Sequence, residues 1–585
     1  MSALAPPPRS ALVIGSDTRA FLGVVRSLGR QGVAVHVVPF DHSSVALAST
    51  YIRSVRRLPP LQLDPEGWID ALLVLCADLR PDFIVPCDDR SIIPLHEFAS
   101  RVAQLRLAMP GELAFSTFFD KGATRAMAAA CGVPVALGRV LARDDTAAAL
   151  VAEFGLPLFL KPRNSYVLRA LESRRNVVPC HSVAQLHEAM AAIAMLDEYL
   201  VEAAFSGVGV GVSVLAQGGV IGQTFQHRRV REPVGGGGSS YRKSEAVSAD
   251  LLAMTQALCR ASKLEGVAMF EYKVDDVTGQ KALLEVNARF WGSLPLAMAA
   301  GVDFPHLWFS QALGAPPAPR KDYRVPYYAR NLLSDLYATL GHIESRQAEG
   351  LWVRVGESLR WLASLSRLLV GAESLDTLAR DDPRPALREF QAIGQKISER
   401  YTRALPWVRA RRARGLQQSV HEAWRAAAQA QRPVRLVVAC CGNICRSPYA
   451  AVQLGRLLAG GAQPVSVSGA GLACRPSRPS PALAVAAAGR AGVDLQTHRS
   501  RYADDALLEQ ADLVLVFDGA NLELLASRGL RLQRPPLRLR EFLAEAGPSS
   551  DIADPVDGDD ATYERCYRLI DRAAAAFQRV VESAR

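Results

Sequence analysis

Residues 437–450 read VVACCGNICRSPYA, an apolar run that breaks into three cysteines within six residues, then an arginine and a Ser-Pro pair. The run predicts a β-strand, Gly442 and Asn443 a turn, and Ser447-Pro448 the opening of a helix, where the missing N–H of proline costs nothing. A loop that passes from a strand into a helix N-terminus offers N–H donors and a positive dipole end to an anion. Of the three cysteines only Cys440 stands six residues before Arg446. That C-x5-R spacing lets the loop curl, with the thiol at its floor and the guanidinium gripping two phosphate oxygens. The same field favours the thiolate, the nucleophilic form, at Cys440. Attack on a phosphomonoester would give a cysteinyl-phosphate, and the leaving oxygen would need a proton. DIADPVDGDD (551–560), just before a C-terminal helix, supplies carboxylates, and Asp554 ahead of Pro555 is the candidate donor. A structural zinc would ask for paired ligands such as C-x2-C with a distant second pair, a pattern not found here.

From Val434 to Arg585 the chain resembles the low-molecular-weight protein-tyrosine-phosphatase family, carried by CCGNICRSP, the Asp-Pro pair and the length between them. The resemblance implies an α/β domain on a parallel sheet, with Cys440 as nucleophile, Arg446 as phosphate clamp and Ser447 as thiolate stabiliser. It further implies Asn443 as loop organiser, Asp554 as general acid, and His498 in GVDLQTHRSR (492–501) in the supporting hydrogen-bond network. Cys445 matches the family's second loop cysteine, which can form a protective disulfide with the nucleophile. Three departures bear on substrate. GAGL (469–472) replaces the usual Ser-Ala-Gly-Thr, ACRPSRPSP (473–481) stands where an aromatic wall is expected, and Val556-Asp557 follow the Asp-Pro pair in place of tyrosine. An aryl ring would find little to stack on, and Arg475 and Arg478 become candidates for holding an acidic small molecule. Arsenate reductases of the C-x5-R type are the alternative; they use a further downstream cysteine pair, and Cys474 and Cys566 are isolated in sequence.

Upstream, QAQRPVR (429–435) reads as a joint, and residues 321–433 as a helical extension with a basic connector, YTRALPWVRARRARG (401–415). Residues 1–110 alternate short apolar strands such as ALVIG (11–15) with helical stretches, which predicts a parallel sheet flanked by helices. GSDTRA after the first strand lacks G-x-G-x-x-G and is a weak dinucleotide signal. Residues 111–320 read as α+β, with a hairpin expected around Gly218–Gly219. ALLEVNARFWGSL (282–294) places Glu285 and Asn287 on one face of a strand, and Glu271 lies on the strand before it. Two carboxylates and an amide oxygen suit a hard cation such as Mg²⁺ carrying nucleotide phosphates. Lys161, at a strand end in LFLKPRNS, and Lys121 in FFDKGATR are placed by order to meet those phosphates.

In this order, over residues 10–320, the chain resembles the ATP-grasp superfamily, specifically carboxylate–amine ligases similar to carbamoyl-phosphate synthetase and biotin carboxylase. The resemblance implies ATP and Mg²⁺, with Mn²⁺ as a substitute, and an acyl phosphate captured by an amine or thiol. It implies Lys121 and Lys161 on phosphates and Glu202 at the adenine pocket. Glu271, Glu285 and Asn287 would be metal ligands, and Arg289 would face the acyl-phosphate site. RNSYVLRALESRR (163–175) lacks the glycines usual in the loop over the phosphates, and Val208-Gly209-Val210 stands where an acidic residue often meets the ribose. VREPVGGGGSSYRKS (230–244) reads as a loop near the acceptor site, with His227, Arg228 and Arg242 as candidate carboxylate-binding groups.

A chain of 585 residues, 49% apolar and 22% charged, has the make-up of a globular protein of roughly three or four domains. The net charge of +10 gathers in arginine-rich stretches rather than being interleaved with aromatics throughout, which argues against a nucleic-acid partner. No apolar run approaches the roughly 18–20 residues of a transmembrane helix. MSALAPPPRS does not read as a secretory leader, and the ten cysteines form no framework, so a reducing cytoplasm is expected. The expectation is an α/β multidomain protein divided at 1–110, 111–320, 321–433 and 434–585, joining a ligase for small carboxylates and amines to a phosphatase for a phosphomonoester or phosphotyrosyl protein. Self-association is left open. The alternative is a regulatory protein-tyrosine phosphatase carrying a nucleotide-binding ATP-grasp module.

Overall fold

The structure is a computed structural model that describes residues 9–15, 19–61, 63–168, 171, 174–232, 238–315, 320–345, 351–402, 405–543 and 551–583. Two compact units emerge: Met1–Phe40 with Ser44–Gln391, and Asp41–Ser43 with Ala392–Arg585.

The first unit opens with four parallel strands, β1 (Ser10–Ile14), β2 (Ala34–Val38), β3 (Ile52–Val55) and β4 (Phe83–Pro86), ordered β3-β2-β1-β4. Ala11, Leu12, Val13 and Ile14 are all fully buried, as a central parallel strand covered on both faces requires. The chain leaves β1 towards β2 on one side, and β4 returns on the other. A crevice therefore opens at the carboxyl ends of β1 and β4, where Cys87, Asp88 and Asp89 lie.

An antiparallel sheet follows, made of β5 (Gly138–Val140), β6 (Leu158–Pro162), β7 (Val178–Cys180) and β8 (Tyr199–Ala203), in the order β5-β8-β6-β7. The main sheet has seven strands: β9 (Val208–Gln217), β10 (Val220–Arg231), β11 (Tyr241–Glu245), β12 (Gly266–Val274), β13 (Lys281–Asn287), β14 (Tyr328–Arg330) and β15 (Glu373–Leu375). Their order is β13-β12-β9-β10-β11-β14-β15, antiparallel except for the last pair. β9 and β10 form the expected hairpin, turning on Gly218 and Gly219 at φ +55° and +79°, the doubly positive backbone that two-residue hairpins favour.

β14 and β15 come from the stretch read as a helical extension. Each has three residues, too short for an alternating pattern to declare itself. They are tied in by Arg330, fully buried between Asp335 (2.7 Å) and Glu373 (2.7 Å).

The second unit holds β16 (Val434–Cys440), β17 (Val465–Gly471), β18 (Leu513–Val516) and β19 (Leu537–Arg538), all parallel and ordered β17-β16-β18-β19. The mixed α/β class and the parallel C-terminal sheet are as expected. Helix Pro406–Gln429, read as a basic connector, turns Val420, Ala423 and Ala427 into the core of this unit and packs Trp424 edge-on against Phe577. Its arginines take the other face, the usual division of an amphipathic helix. Among the described residues no helix is long and apolar enough to cross a membrane.

Candidate functional sites

The C-terminal site lies at the carboxyl end of β16, where β17 and β18 diverge to either side, the switch point at which open parallel sheets bind ligands. β16 delivers Cys440, and helix Arg446–Leu458 starts six residues later. Asn443 holds the turn between them at φ +49°, a conformation asparagine tolerates better than most residues. Its backbone N–H donates to Cys440 Sγ (3.2 Å), and its Nδ2 donates to Ser447 Oγ (2.8 Å). Its Oδ1 accepts from the Arg501 N–H (2.8 Å), and its carbonyl accepts from His498 Nε2 (2.7 Å), which fixes the proton on that ring nitrogen. Ser447 Oγ stands 3.1 Å from Cys440 Sγ and 3.2 Å from the Ala470 carbonyl.

Gly469 falls where the resemblance anticipates a hydroxyl. A Cβ there would lie 3.1 Å from the Ser447 carbonyl and 3.4 Å from Asn443 Nδ2, so this corner of the network carries no side chain.

Arg446 is buried, with a Nη1 that donates to the Ile552 carbonyl (2.9 Å) and to Asp518. Its Nη2 is held by Asp554, and its Nε has no partner. The guanidinium is thus fixed from behind, while its Nε–Nη2 edge is closed only by the Asp554 carboxylate. Asp518, which also caps helix Gly519–Ser527, escaped the reading of the sequence. Its one signal was an aspartate directly after an apolar strand, in LVLVFDGAN (513–521).

All ten cysteines are unpaired thiols. Burial pushes Cys445 and Cys566 up to about 12 and Cys474 up to about 11. Arg475, Arg478 and Val556 are exposed, and Val556 offers no ring to a substrate.

The N-terminal site gathers at the carboxyl ends of β1 and β4 and on the adjoining face of the main sheet. Glu271 of β12 and Glu285 of β13 are direct cross-strand partners, so both carboxylates share a face, with Asn287 Nδ2 donating to Glu285 (3.2 Å). Burial and the facing Glu285 raise the pKa of Glu271. Burial acts the same way on Glu285, but Lys121, the Asn287 hydrogen bond and Lys161 outweigh it and hold Glu285 below the usual range. Two facing carboxylates beside an amide oxygen fit one hard dication, and at present Arg229 supplies the positive charge on Glu271. Among the described residues no cluster of three or more His, Cys, Asp or Glu side chains could hold a metal.

Asp120 caps helix Lys121–Ala130 and pairs with Arg163, which leaves Lys121 to reach Ser165 (2.8 Å). Lys161 pairs with Glu202, which Arg125 also faces at 3.5 Å. Glu202 thereby serves as the counter-charge of Lys161. Arg289 is gripped by both oxygens of Asp89, at 2.9 Å each.

Two adjoining cavities, of about 380 and 450 Å³, share Asp89, Lys121, Arg174, Glu285, Asn287 and Arg289 in their walls. Within residues 163–175, positions 169, 170, 172 and 173 lie outside the described residues, as do 233–237 of the glycine-rich loop. Of the former segment, Leu171 is buried with Leu12, Ile14 and Trp68, so apolar anchoring takes the place of glycine. Of the three candidate carboxylate-binding groups, His227 and Arg242 line the larger cavity. Arg228 points to the opposite face of β10 and pairs with Glu245 (2.7 Å) and Asp276 (2.8 Å).

A profile of the family described as "Low molecular weight phosphotyrosine protein phosphatase" matches residues 435–584. One described as "ATP-grasp in the biosynthetic pathway with Ter operon" matches residues 196–330. A curated relative, the "Probable low molecular weight protein-tyrosine-phosphatase EpsP" of Ralstonia nicotianae, is 34% identical over 142 residues, which is 24% of this chain and 92% of that protein. Among solved structures, N5-carboxyaminoimidazole synthetase from Staphylococcus aureus aligns with a TM-score of 0.44 at 15% identity, over 55% of this chain and 82% of its own. Pyruvate carboxylase from Rhizobium etli aligns with a TM-score of 0.44 at 18% identity over 55% of this chain, which spans only 30% of that protein.

Proposed function

Because the chain belongs, through residues 435–584, to the low-molecular-weight protein-tyrosine-phosphatase family, and carries an ATP-grasp module ahead of it, we propose that it is a bifunctional enzyme. The second unit hydrolyses a phosphomonoester, free or on a tyrosyl side chain. The first unit joins a small carboxylate to an amine through an acyl phosphate made from ATP.

The observation that carries the phosphatase reading is the free Nε of Arg446 beside a Nη2 held only by Asp554. Two phosphate oxygens would take that edge as a bidentate pair. Cys440 Sγ, already accepting the Asn443 N–H, attacks phosphorus, so that an S–P bond forms and the P–O bond to the leaving group breaks. Asp554, displaced from the guanidinium, takes up the proton that a phosphomonoester monoanion brings, passes it to the departing oxygen, and then takes a proton from the water that cleaves the S–P bond. Ser447 has one hydroxyl proton, given to the Ala470 carbonyl or to the sulfur. Turning it to the sulfur stabilises the thiolate each time that form returns. With exposed arginines and Val556 at the rim, the substrate we favour is an acidic phosphomonoester rather than one gripped by its ring.

In the first unit, Lys121 and Lys161 would bind the nucleotide phosphates, and Glu271, Glu285 and Asn287 would hold a Mg²⁺ ion. That ion offsets charge on the transferred phosphoryl group. Arg289, oriented by Asp89, would face the carboxylate as it becomes the acyl phosphate. Ten unpaired thiols are consistent with a reducing compartment.

Wild type, Cys440→Ser and Glu285→Ala can be compared for aryl-phosphate hydrolysis and for ADP release with a panel of carboxylates and amines. Each variant should lose one activity and keep the other. Hydrolysis that survives Cys440→Ser, or acceptor-dependent ADP release that survives Glu285→Ala, overturns the corresponding half.

A further inference from the structure

The larger cavity of the first unit holds a group of donors that the ligase chemistry leaves unused. Arg242 of β11 and Trp291 are fully buried and His227 of β10 is 3% exposed, and all three line the cavity wall. Among the described residues Arg242 Nε, Trp291 Nε1 and His227 Nδ1 are buried polar atoms without a hydrogen-bond partner. A buried polar atom left unpaired costs about 1–3 kcal/mol, and three of them on side chains that line one cavity favour a polar ligand group there.

The placement is built into the strands. His227 lies opposite Gly211 of β9, where a Cβ would sit 2.2 Å from the imidazole Cε1; only glycine lets the ring lie across the sheet. Gly292 does the same for Arg19, since a Cβ there would come within 2.9 Å of that guanidinium carbon. Arg242 donates through Nη1 to the Ser239 carbonyl (3.3 Å) and through Nη2 to the Gly292 carbonyl (3.5 Å), and Asp376 matches its charge.

Arg242 stands apart from the paired carboxylates, since β11 is three strands from β12 in the sheet order, roughly 14 Å at about 4.8 Å per strand, while His227 of β10 lies over Gly211, the residue paired with Glu271. Burial, Arg229 and Arg242 push the His227 imidazole down to about 3, so it is neutral and can give one N–H and keep one lone pair. With Arg242 already balanced by Asp376, the group suits a singly charged acceptor better than a phosphate dianion.

We propose that Arg242, His227 and Trp291 form a docking subsite for a non-reacting carboxylate, so that the acid activated by the first unit is a small dicarboxylate. This rests on the ligase reading above: one carboxylate is phosphorylated near Arg289 and the other is held across the sheet.

The test is calorimetric titration of the full chain with the series malonate to adipate and with butyrate, each with and without Mg²⁺ and a non-hydrolysable ATP analogue. A member of the series should bind at least tenfold more tightly than butyrate. Trp291→Phe, which keeps the ring packed on Phe304 at 5.2 Å, should weaken that binding about tenfold, the effect of one lost hydrogen bond to a charged group, with nucleotide affinity unchanged. His227→Phe should do the same. Equal binding of mono- and dicarboxylates, or full dicarboxylate affinity in Trp291→Phe, overturns the subsite. Failure of the ATP analogue to bind overturns the ligase reading instead, and the titrations without nucleotide still decide the subsite.

Discussion

Replacing Asn443 by alanine should slow phosphomonoester hydrolysis by about 10²-fold or more, from the loss of two buried hydrogen bonds and a backbone penalty. The amide gives a 2.8 Å bond to Ser447 and accepts another at 2.8 Å from the Arg501 N–H, in a residue with no exposed surface. The first is worth about 1 kcal/mol, and the stranded Arg501 N–H costs about 1–3 kcal/mol. Alanine at φ +49° adds about 1 kcal/mol that asparagine largely avoids. The sum, about 3–5 kcal/mol, weakens the one loop shape in which Cys440, Ser447 and Arg446 would all face a phosphate, and each 1.4 kcal/mol or so is tenfold in rate. Asn443→Gly loses the same bonds without the backbone penalty and should run about fivefold faster than alanine. The assay is kcat and KM for an aryl phosphate, with inorganic phosphate as competitive inhibitor to report loop shape separately from chemistry. Alanine within about threefold of wild type, or glycine no faster than alanine, would refute the reasoning.

Gly211→Ala should destabilise the first unit by about 1–3 kcal/mol and expel the imidazole of His227, seen as a lower first unfolding transition and weaker carboxylate binding. His227, held near 3 when folded against about 6.5 when unfolded, contributes stability that is complete above pH 6.5 and is lost as pH falls toward 3. His227→Phe should therefore flatten the acid limb of the first unit's stability curve, and an unchanged slope would count against the buried neutral ring. Brief alkylation at neutral pH should leave Cys76, Cys259, Cys445, Cys474 and Cys566 unlabelled, because burial lifts each of those thiols to about 11 or 12, and peptide mass mapping would show any exception.

Both folds could be read from the sequence because their deciding residues sit on regular elements with short spacings. The C-x5-R loop is local, and the cross-strand pair of Glu271 and Glu285 needs only two neighbouring strands. Long-range partners were silent. Asp518 reaches Arg446 across 72 residues and Asp89 reaches Arg289 across 200, and no periodicity links such positions. The three-residue strands β14 and β15 were silent for another reason, since their place in the sheet is set by the buried Arg330 and its two carboxylates rather than by any pattern of their own. Val208-Gly209-Val210 reads as standing where an acidic residue often meets the ribose. Valines 210, 212 and 214 in fact build the core, while Gly209 and Gly211 clear the opposite face for Arg229 and His227.

A common electrostatic rule runs through both sites. Arg446 is closed by Asp518 and Asp554, Glu271 by Arg229, Arg289 by Asp89 and Lys161 by Glu202. A buried charge stripped of its partner costs about 3–5 kcal/mol, so these reactive groups could not stand ready and bare. On the proposed function, binding would proceed by exchange: a phosphate would replace the Asp554 carboxylate on Arg446, and a Mg²⁺ ion would replace Arg229 on Glu271. Exchange leaves the number of buried charges nearly unchanged, which makes affinity modest. It would also free the displaced group at the moment it is needed, and for Asp554 on the proposed mechanism that is the moment it takes up a proton and passes it to the leaving oxygen.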